Sequence, residues 1–174
     1  IVTTEKDIAA LTIPEQLFMW LRVNMMEIVG AFAVLVAGRI DGAVLWCVDA
    51  GARAGLFGPG LAALGLDPAR LLIGTMADDA MLLRAAVDAL RCPALGGLVM
   101  ELRGRAPLLD LTASRRLALA AEASGVTALL LRIDGAPVPS AADTRWQVAA
   151  APSAPLPGNA PGHSAVDLTL LRRR

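Results

Sequence analysis

Mainly apolar segments alternate with helical patterns through the middle of the chain. The segments typical of strands buried on both faces of a sheet are residues 43–48 (AVLWCV), 71–74, 95–102 and 128–133. The intervening segments with apolar residues at helical spacing are residues 61–64, 79–90 and 113–123. Thr112 is the expected N-cap of the last helix and Gly125 its C-terminal stop. This alternation predicts a parallel sheet with helices packed on its faces.

The two ends of the chain depart from this alternation. Pro14 is predicted to open a helix that runs to residue 21, and residues 23–29 are predicted to form a short strand that ends at Gly30. A helical segment is expected to follow over residues 31–40. After the last helix, residues 144–149 and 165–171 are predicted to be strands, the second with alternating apolar and polar residues. Such a terminal strand pair predicts an antiparallel edge on the sheet.

The charge and hydropathy of the chain argue against direct binding to nucleic acid and against a membrane span. Sixteen Lys and Arg residues match sixteen Asp and Glu residues, so the formal net charge is zero. A neutral chain has no overall attraction to phosphate backbones, and any DNA contact is therefore expected to be weak or indirect. Mean hydropathy is high at +0.58. Charged residues nevertheless interrupt the apolar segments before they reach the roughly 18 residues that a membrane span requires.

Candidate chemistry based on cysteine and histidine is sparse. Cys47 and Cys92 lie far apart in apolar surroundings, no CxxC pair is present, and the only histidine is His163 in a Pro/Gly-rich stretch. This pattern predicts two reduced thiols in a cytoplasmic protein, without a disulfide framework or a Cys/His metal site. The neighbouring Asp78 and Asp79 are expected to serve the start of a helix rather than to act as a catalytic pair.

A nucleotide site in such a fold would form where the first strand turns into a helix. Gly30 occupies that predicted turn, but residues 29–33 (VGAFA) contain no lysine and no hydroxyl group for phosphate or magnesium. Asp49 and Glu101 end two of the apolar strands, where a nucleotide hydrolase carries its magnesium and water-positioning carboxylates. We interpret Gly30, Asp49 and Glu101 as degenerate positions. The chain is therefore predicted to have no nucleotide-binding site, no catalytic residues, no metal and no cofactor.

Longer motifs resemble a known family. Residues 26–30 (MEIVG), 45–50 (LWCVDA) and 64–72 (LGLDPARLL) resemble the core of a RecA-type domain in their order. A more specific resemblance is to the ImuA family, the RecA/SulA-like proteins of bacterial inducible mutagenesis cassettes. The segments that carry it are residues 43–50 (AVLWCVDA), 56–72 (LFGPGLAALGLDPARLL), 89–94 (ALRCPA), 109–132 (LDLTASRRLALAAEASGVTALLLR) and 142–152 (ADTRWQVAAAP).

The resemblance implies an architecture. It predicts a RecA-like three-layer α/β/α fold with a mainly parallel sheet, antiparallel C-terminal edge strands and a degenerate P-loop. Residues 1–25 are expected to be a divergent N-terminal segment. Residues 26–174 are expected to be the RecA-like domain with its C-terminal strand pair.

The resemblance also implies a function. It predicts a non-catalytic adaptor in damage-induced (SOS) translesion DNA synthesis, with an ImuB-like Y-family polymerase homologue and an error-prone polymerase subunit as partners, and RecA as a further candidate. Partner contacts are expected in the C-terminal part. The candidate residues there are Val166, Leu168, Leu170, Arg172, Arg173 and Arg174. The alternatives are a SulA-like cell-division inhibitor and a RecA-like, ATP-dependent DNA-repair enzyme.

Overall fold

Strands and helices alternate over the part of the chain that the structure describes. The structure is a computed structural model and describes residues 18–23, 26–50, 56–136, 138–152, 154–160 and 165–173. Its strands are β1 (Phe18–Val23), β2 (Ala43–Asp49), β3 (Leu71–Met76), β4 (Leu95–Arg103), β5 (Thr127–Ile133), β6 (Thr144–Ala151) and β7 (Ala165–Arg173). Its α-helices are α1 (Met26–Ala37), α2 (Gly58–Ala63), α3 (Asp79–Ala89) and α4 (Leu111–Ser124).

The strands form one seven-stranded sheet in the order β3-β2-β4-β5-β1-β6-β7. The first six are mutually parallel, and β7 pairs with β6 in the antiparallel direction. The predicted parallel sheet with an antiparallel C-terminal edge is thereby confirmed. Every residue of β5 is buried, as the mainly apolar segment at residues 128–133 predicts, and the burial includes Arg132.

Side chains on the two faces of the sheet enter two hydrophobic clusters. On one face, Val44, Trp46 and Val48 pack with Phe32 and Val36 of α1. On the other face, the cluster contains residues of β2, α3, β4, α4 and β5; among its fully buried members are Cys47, Leu82, Leu98, Leu117 and Leu130. The alternation of successive β2 side chains between the clusters follows from the two-residue repeat of a strand. The sheet is therefore the middle layer of three.

Helix starts and stops are set by short polar side chains. The Asp78 carboxylate Oδ1 accepts a hydrogen bond from the Met81 backbone N–H at 2.7 Å, which caps α3 as predicted. The predicted cap of α4 at Thr112 is wrong. Asp110 caps that helix instead, accepting from the Ala113 N–H at 2.7 Å, so Thr112 lies inside its first turn. Gly125 ends α4 with a left-handed φ of 79°, as expected.

The N-terminal elements differ from the prediction. Phe18–Val23 is a strand rather than the end of a helix, and Met26–Ala37 is a helix where residues 23–29 were predicted to form a strand. Residues 14–17 lie outside the described residues. Both segments are almost continuously apolar, and a short apolar run has no period that separates a buried strand from a buried helix. Pairing with β5 and β6 decides the matter, because it places β1 between them.

The position of β1 also bears on the extent of the sheet. Residues 18–23 lie N-terminal to the domain start predicted at residue 26, yet they form an interior strand.

Within the described ranges, no helix is long and apolar enough to cross a membrane.

Candidate functional site

The carboxyl ends of the parallel strands meet at one edge of the sheet, where a RecA-like fold would hold a nucleotide. Glu101, near the end of β4, lies there with its side chain only 11% exposed. Its Oε1 accepts a hydrogen bond from the indole Nε1–H of Trp46 at 2.8 Å. Its Oε2 lies 3.3 Å from Nη2 of Arg103. Both oxygens therefore have protein donors, which gives Glu101 a structural role in joining β2 and β4.

Gly30 does not lie at this edge. It is inside α1, several residues after the start of the helix, so the predicted phosphate turn was placed at the wrong residues. The connection from β1 to α1 consists of Asn24 and Met25, which lie outside the described residues. Residues 24–29 (NMMEIV) contain no glycine, lysine, serine or threonine. A phosphate loop carries these residue types between its strand and its helix, and residues 24–29 do not match that pattern.

A buried arginine occupies the same edge on the other face of the sheet. Arg132, in β5, is only 2% exposed. Its Nη2–H donates to the Gly104 carbonyl at 2.6 Å and its Nη1–H to the Leu102 carbonyl at 3.3 Å. Gly135 lies directly against the guanidinium, since a Cβ at that position would be 2.3 Å from Nη2. Arg132 thus ties the segment after β4 to the end of β5.

One acid, Asp79, acts electrostatically on this arginine. Burial lowers the pKa of Arg132, and the negative charge of Asp79 opposes that shift. The pKa of Asp79 is raised by burial; Arg132 lowers it, while Asp49 and Asp78 raise it further. The charge of Asp49 therefore acts on the face of the sheet that carries α3. Glu101 lies on the opposite face, where it contacts Trp46, which packs with α1. Nowhere in the described ranges do three His, Cys, Asp or Glu residues converge as metal ligands would.

The C-terminal candidates other than Arg174 lie on β7, whose pairing within the described residues is with β6 alone. Leu168 is buried and Val166 packs against the same core cluster, so neither side chain faces outward. Leu170 is 44% exposed and Arg173 is also exposed. The Nη1–H of Arg172 donates to the Ser140 carbonyl at 3.0 Å. Arg174 lies outside the described residues.

The strand pairing brings together a second arginine that the sequence analysis did not single out. Arg145 of β6 is directly opposite Arg172 of β7. Its Nη2–H donates to the Val138 carbonyl at 2.7 Å and to the Ser140 hydroxyl at 2.8 Å. Burial lowers the pKa of Arg145, and the charge of Arg172 lowers it further. The two arginines thus hydrogen-bond to the segment before β6, at Val138 and Ser140. The residues they reach depend on the strand register, which no pattern in the sequence indicates.

The exposed surface of β7 therefore differs from the predicted set of residues. Among the described residues, it consists of the backbone edge that pairs with no strand and of the side chains of Thr169, Leu170, Leu171 and Arg173, while the exposed Arg172 is bonded to Ser140. An unpaired strand edge carries free backbone donors and acceptors and can accept a strand from another protein. We refer to this surface below as the β7 edge.

The sheet order and the helices on both faces define a RecA-like α/β fold. A crystal structure of SulA from Pseudomonas aeruginosa is similar, with a TM-score of 0.52 and 21% identity over 67% of this chain and 97% of that one. No family model matches the sequence.

A curated relative places the chain more narrowly. The protein ImuA of Caulobacter vibrioides, from strains NA1000 / CB15N and ATCC 19089 / CIP 103742 / CB 15, is 40% identical to it over 136 residues. The match covers 71% of this chain and 53% of the relative. The chain belongs to the ImuA family, as the sequence motifs predicted, and spans about half the length of the relatives it matches.

Proposed function

We propose that this chain is a non-catalytic adaptor in damage-induced translesion DNA synthesis, in which it bridges an ImuB-like polymerase homologue and an error-prone polymerase subunit. Membership of the ImuA family supports a role in an inducible mutagenesis cassette. The non-catalytic part of the proposal depends on the residues at the edge of the sheet where a RecA-like fold would hold a nucleotide. Glu101 is bonded to Trp46 and Arg103, and the turn after β1 lacks the phosphate-binding residue types.

Partner binding through the β7 edge is the second part of the proposal. The edge presents exposed Leu170 and Leu171 beside the positive charge of Arg173. A partner strand that pairs there would gain backbone hydrogen bonds together with two apolar contacts. Because the chain as a whole is neutral, DNA would be reached through the polymerase partners rather than by direct phosphate binding.

A defined pull-down tests this proposal. The purified polymerase homologue serves as bait, and the double variant Leu170→Asp/Leu171→Asp is compared with the unmodified chain. Leu119→Asp is the matched control, because Leu119 is 64% exposed on α4, away from β7. We expect the double variant to lose capture and the control to retain it. Unchanged capture by the double variant would reject the β7 edge, and no capture by the unmodified chain would reject the partner.

One alternative is a SulA-like cell-division inhibitor. The similarity to SulA covers 97% of the SulA chain and establishes the fold alone. Co-purification with the tubulin-like division protein separates the two functions. An ATP-dependent repair enzyme is the third candidate, and calorimetric titration with ATP and magnesium tests it. We expect no heat of binding, because the turn after β1 has no residues to hold the phosphates.

A further inference from the structure

The helices α3 and α4 lie next to each other on one face of the sheet and leave a groove between them. Leu82 of α3 and Leu117 of α4 belong to the same core cluster, which holds the two helices side by side. Above this cluster the groove has a volume of about 560 Å³. Its apolar lining includes the half-buried Leu83 and Val87 and the buried Leu117. Leu108, also in the lining, is 53% exposed.

The charged residues that line the groove are mostly basic. They are Arg84, Arg91 and Arg116, with Asp88 as the one carboxylate. Asp88 already faces Arg91 at 3.4 Å, in an exposed pair. Among the described residues, Arg84 and Arg116 make no ion pair or hydrogen bond. The groove therefore combines an apolar floor with two unpaired positive charges, one contributed by each helix.

We propose that this groove binds an amphipathic helix of a partner protein that carries apolar residues on one face and Asp or Glu residues beside them. Apolar side chains spaced three or four residues apart would fill the space above Leu83, Val87 and Leu117. Carboxylates at the sides of that helix would pair with Arg84 and Arg116. The 11 residues of α3 make a wall about 16 Å long, enough to accommodate about three turns of a helix.

The apolar floor distinguishes this ligand from a nucleic acid. Phosphate contacts supply most of the affinity of nonspecific nucleic-acid binding, and an apolar floor adds nothing to them. The groove also lies on the face of the sheet, whereas the β7 edge lies at its end. A protein bound in the groove would thus leave the β7 edge free, and a bridging protein needs two such separate surfaces.

Fluorescence anisotropy with the full chain tests the inference and does not depend on any polymerase partner. The probe is a labelled 18-residue helical peptide with leucines at three- and four-residue spacing and glutamates on both sides of the leucine face. Two further probes are the same peptide with lysine in place of glutamate and a single-stranded DNA oligonucleotide. We expect the acidic peptide to bind at least ~10-fold more tightly than the lysine peptide, because only its charges complement the groove.

Single substitutions locate the binding surface. Arg116→Glu should weaken binding of the acidic peptide by about 10-fold. Arg115→Glu is the matched control, since Arg115 is an exposed neighbour on α4 that does not line the groove, and it should change the affinity less than about twofold. Leu108→Ser should weaken binding without affecting the fold, because Leu108 is largely exposed. Circular dichroism of each variant checks that the fold is retained.

Three results would overturn the inference. The first is an acidic peptide that fails to bind or binds no better than the lysine peptide. The second is equal loss of affinity in Arg115→Glu and Arg116→Glu, which would indicate a general charge effect. The third is an oligonucleotide that binds with the Arg116 dependence while the acidic peptide does not, which would make the groove a nucleic-acid site.

Discussion

The carboxylate of Glu101 offers the sharpest test of how the nucleotide edge is built. If Glu101 is the acceptor for Trp46, removing it leaves a buried donor without a partner. Trp46 is fully buried and its Nε1–H lies 2.8 Å from Glu101 Oε1. Glu101→Ala removes that acceptor and the partner of Arg103, while Glu101→Gln keeps an oxygen that can accept from Trp46. The two variants therefore separate the hydrogen bond from the charge.

The expected losses of stability follow from these contacts. An unsatisfied buried N–H costs about 1–3 kcal/mol. The contact with Arg103 adds at most about 1 kcal/mol, because the Arg103 side chain is 36% exposed and water screens the pair. We therefore expect Glu101→Ala to lower the free energy of unfolding by about 2–3 kcal/mol. Glu101→Gln should lower it by about 1 kcal/mol or less, because mainly the ion pair is lost.

Urea unfolding followed by far-ultraviolet circular dichroism measures both variants. Glu122→Ala is the control, since Glu122 is an exposed acid on α4. A double-mutant cycle with Trp46→Phe should give a coupling energy of about 1–2 kcal/mol between the two side chains. A loss below about 0.5 kcal/mol in Glu101→Ala would contradict the structural role, given the cost of an unpaired buried donor. A magnesium-dependent nucleotide affinity that disappears in Glu101→Gln would contradict it as well.

Other substitutions test the helix assignment, the packing and the thiols. Gly30→Ala should raise the free energy of unfolding by about 0.5–1 kcal/mol, since a helical site with no atom within 4 Å of the new Cβ favours alanine; destabilisation would contradict α1. Gly96→Ala should cost about 3 kcal/mol or more, because the Cβ would lie 1.6 Å from the Asp41 carbonyl oxygen; near-normal stability in the same urea assay would refute this contact. In native protein, a thiol reagent should modify the exposed Cys92 rapidly and the buried Cys47 only after denaturation. Equal reaction of both thiols in the native protein would contradict the burial of Cys47. Burial raises the pKa of Cys47 from 9.0 to about 11, so the folded state holds the thiol proton more tightly than the unfolded state does. The contribution of Cys47 to the free energy of unfolding should therefore fall as the pH rises from 9 to 11.

The proposed adaptor function fits a RecA-like fold whose nucleotide edge is occupied by internal contacts. Glu101 and Arg132 hold adjacent strand ends through hydrogen bonds to the protein itself. These hydrogen bonds stabilise the fold. They also occupy side chains that another protein of this fold class could use to bind a ligand. What the chain presents to other molecules is then its exposed surface. The β7 edge and the groove between α3 and α4 are the two surfaces on which the proposed contacts depend.

The sequence predicted the central strands well because their apolar runs are bounded by clear stop signals. Three observed strands each differ from the predicted bounds by one residue at one end: Ala43–Asp49, Leu95–Arg103 and Thr127–Ile133. Burial on both faces of a parallel sheet demands continuous apolar side chains, and such runs are visible without any knowledge of the neighbours. The helices Asp79–Ala89 and Leu111–Ser124 were also predicted closely, because polar residues on their outer faces preserve the helical period. Gly58–Ala63 was predicted less well, at residues 61–64, since its sequence GPGLAA contains no polar residue.

The candidate site was predictable in its residue types and not in its geometry. Asp49 was correctly assigned to a strand end, whereas β4 continues for two residues beyond Glu101. The sequence cannot show that Glu101 accepts the indole N–H of Trp46, 55 positions earlier in the chain. Gly30 was misplaced because the apolar run around it conceals whether it belongs to a turn or a helix. Val166, Leu168 and Leu170 were correctly assigned to a strand, whereas Arg172 and Arg173 lie on that strand beyond its predicted end at residue 171. The burial of Leu168 depends on the packing of β7 against the core.

The amino-acid sequence by itself determined the class of fold and the family. These properties follow from local composition and from motifs that are read along the chain. Tertiary structure alone decided which apolar run enters the middle of the sheet, which acids face which arginines and where two helices leave a basic groove. Each of those outcomes depends on contacts between residues distant in sequence, and the pairing of strands and helices sets their distances.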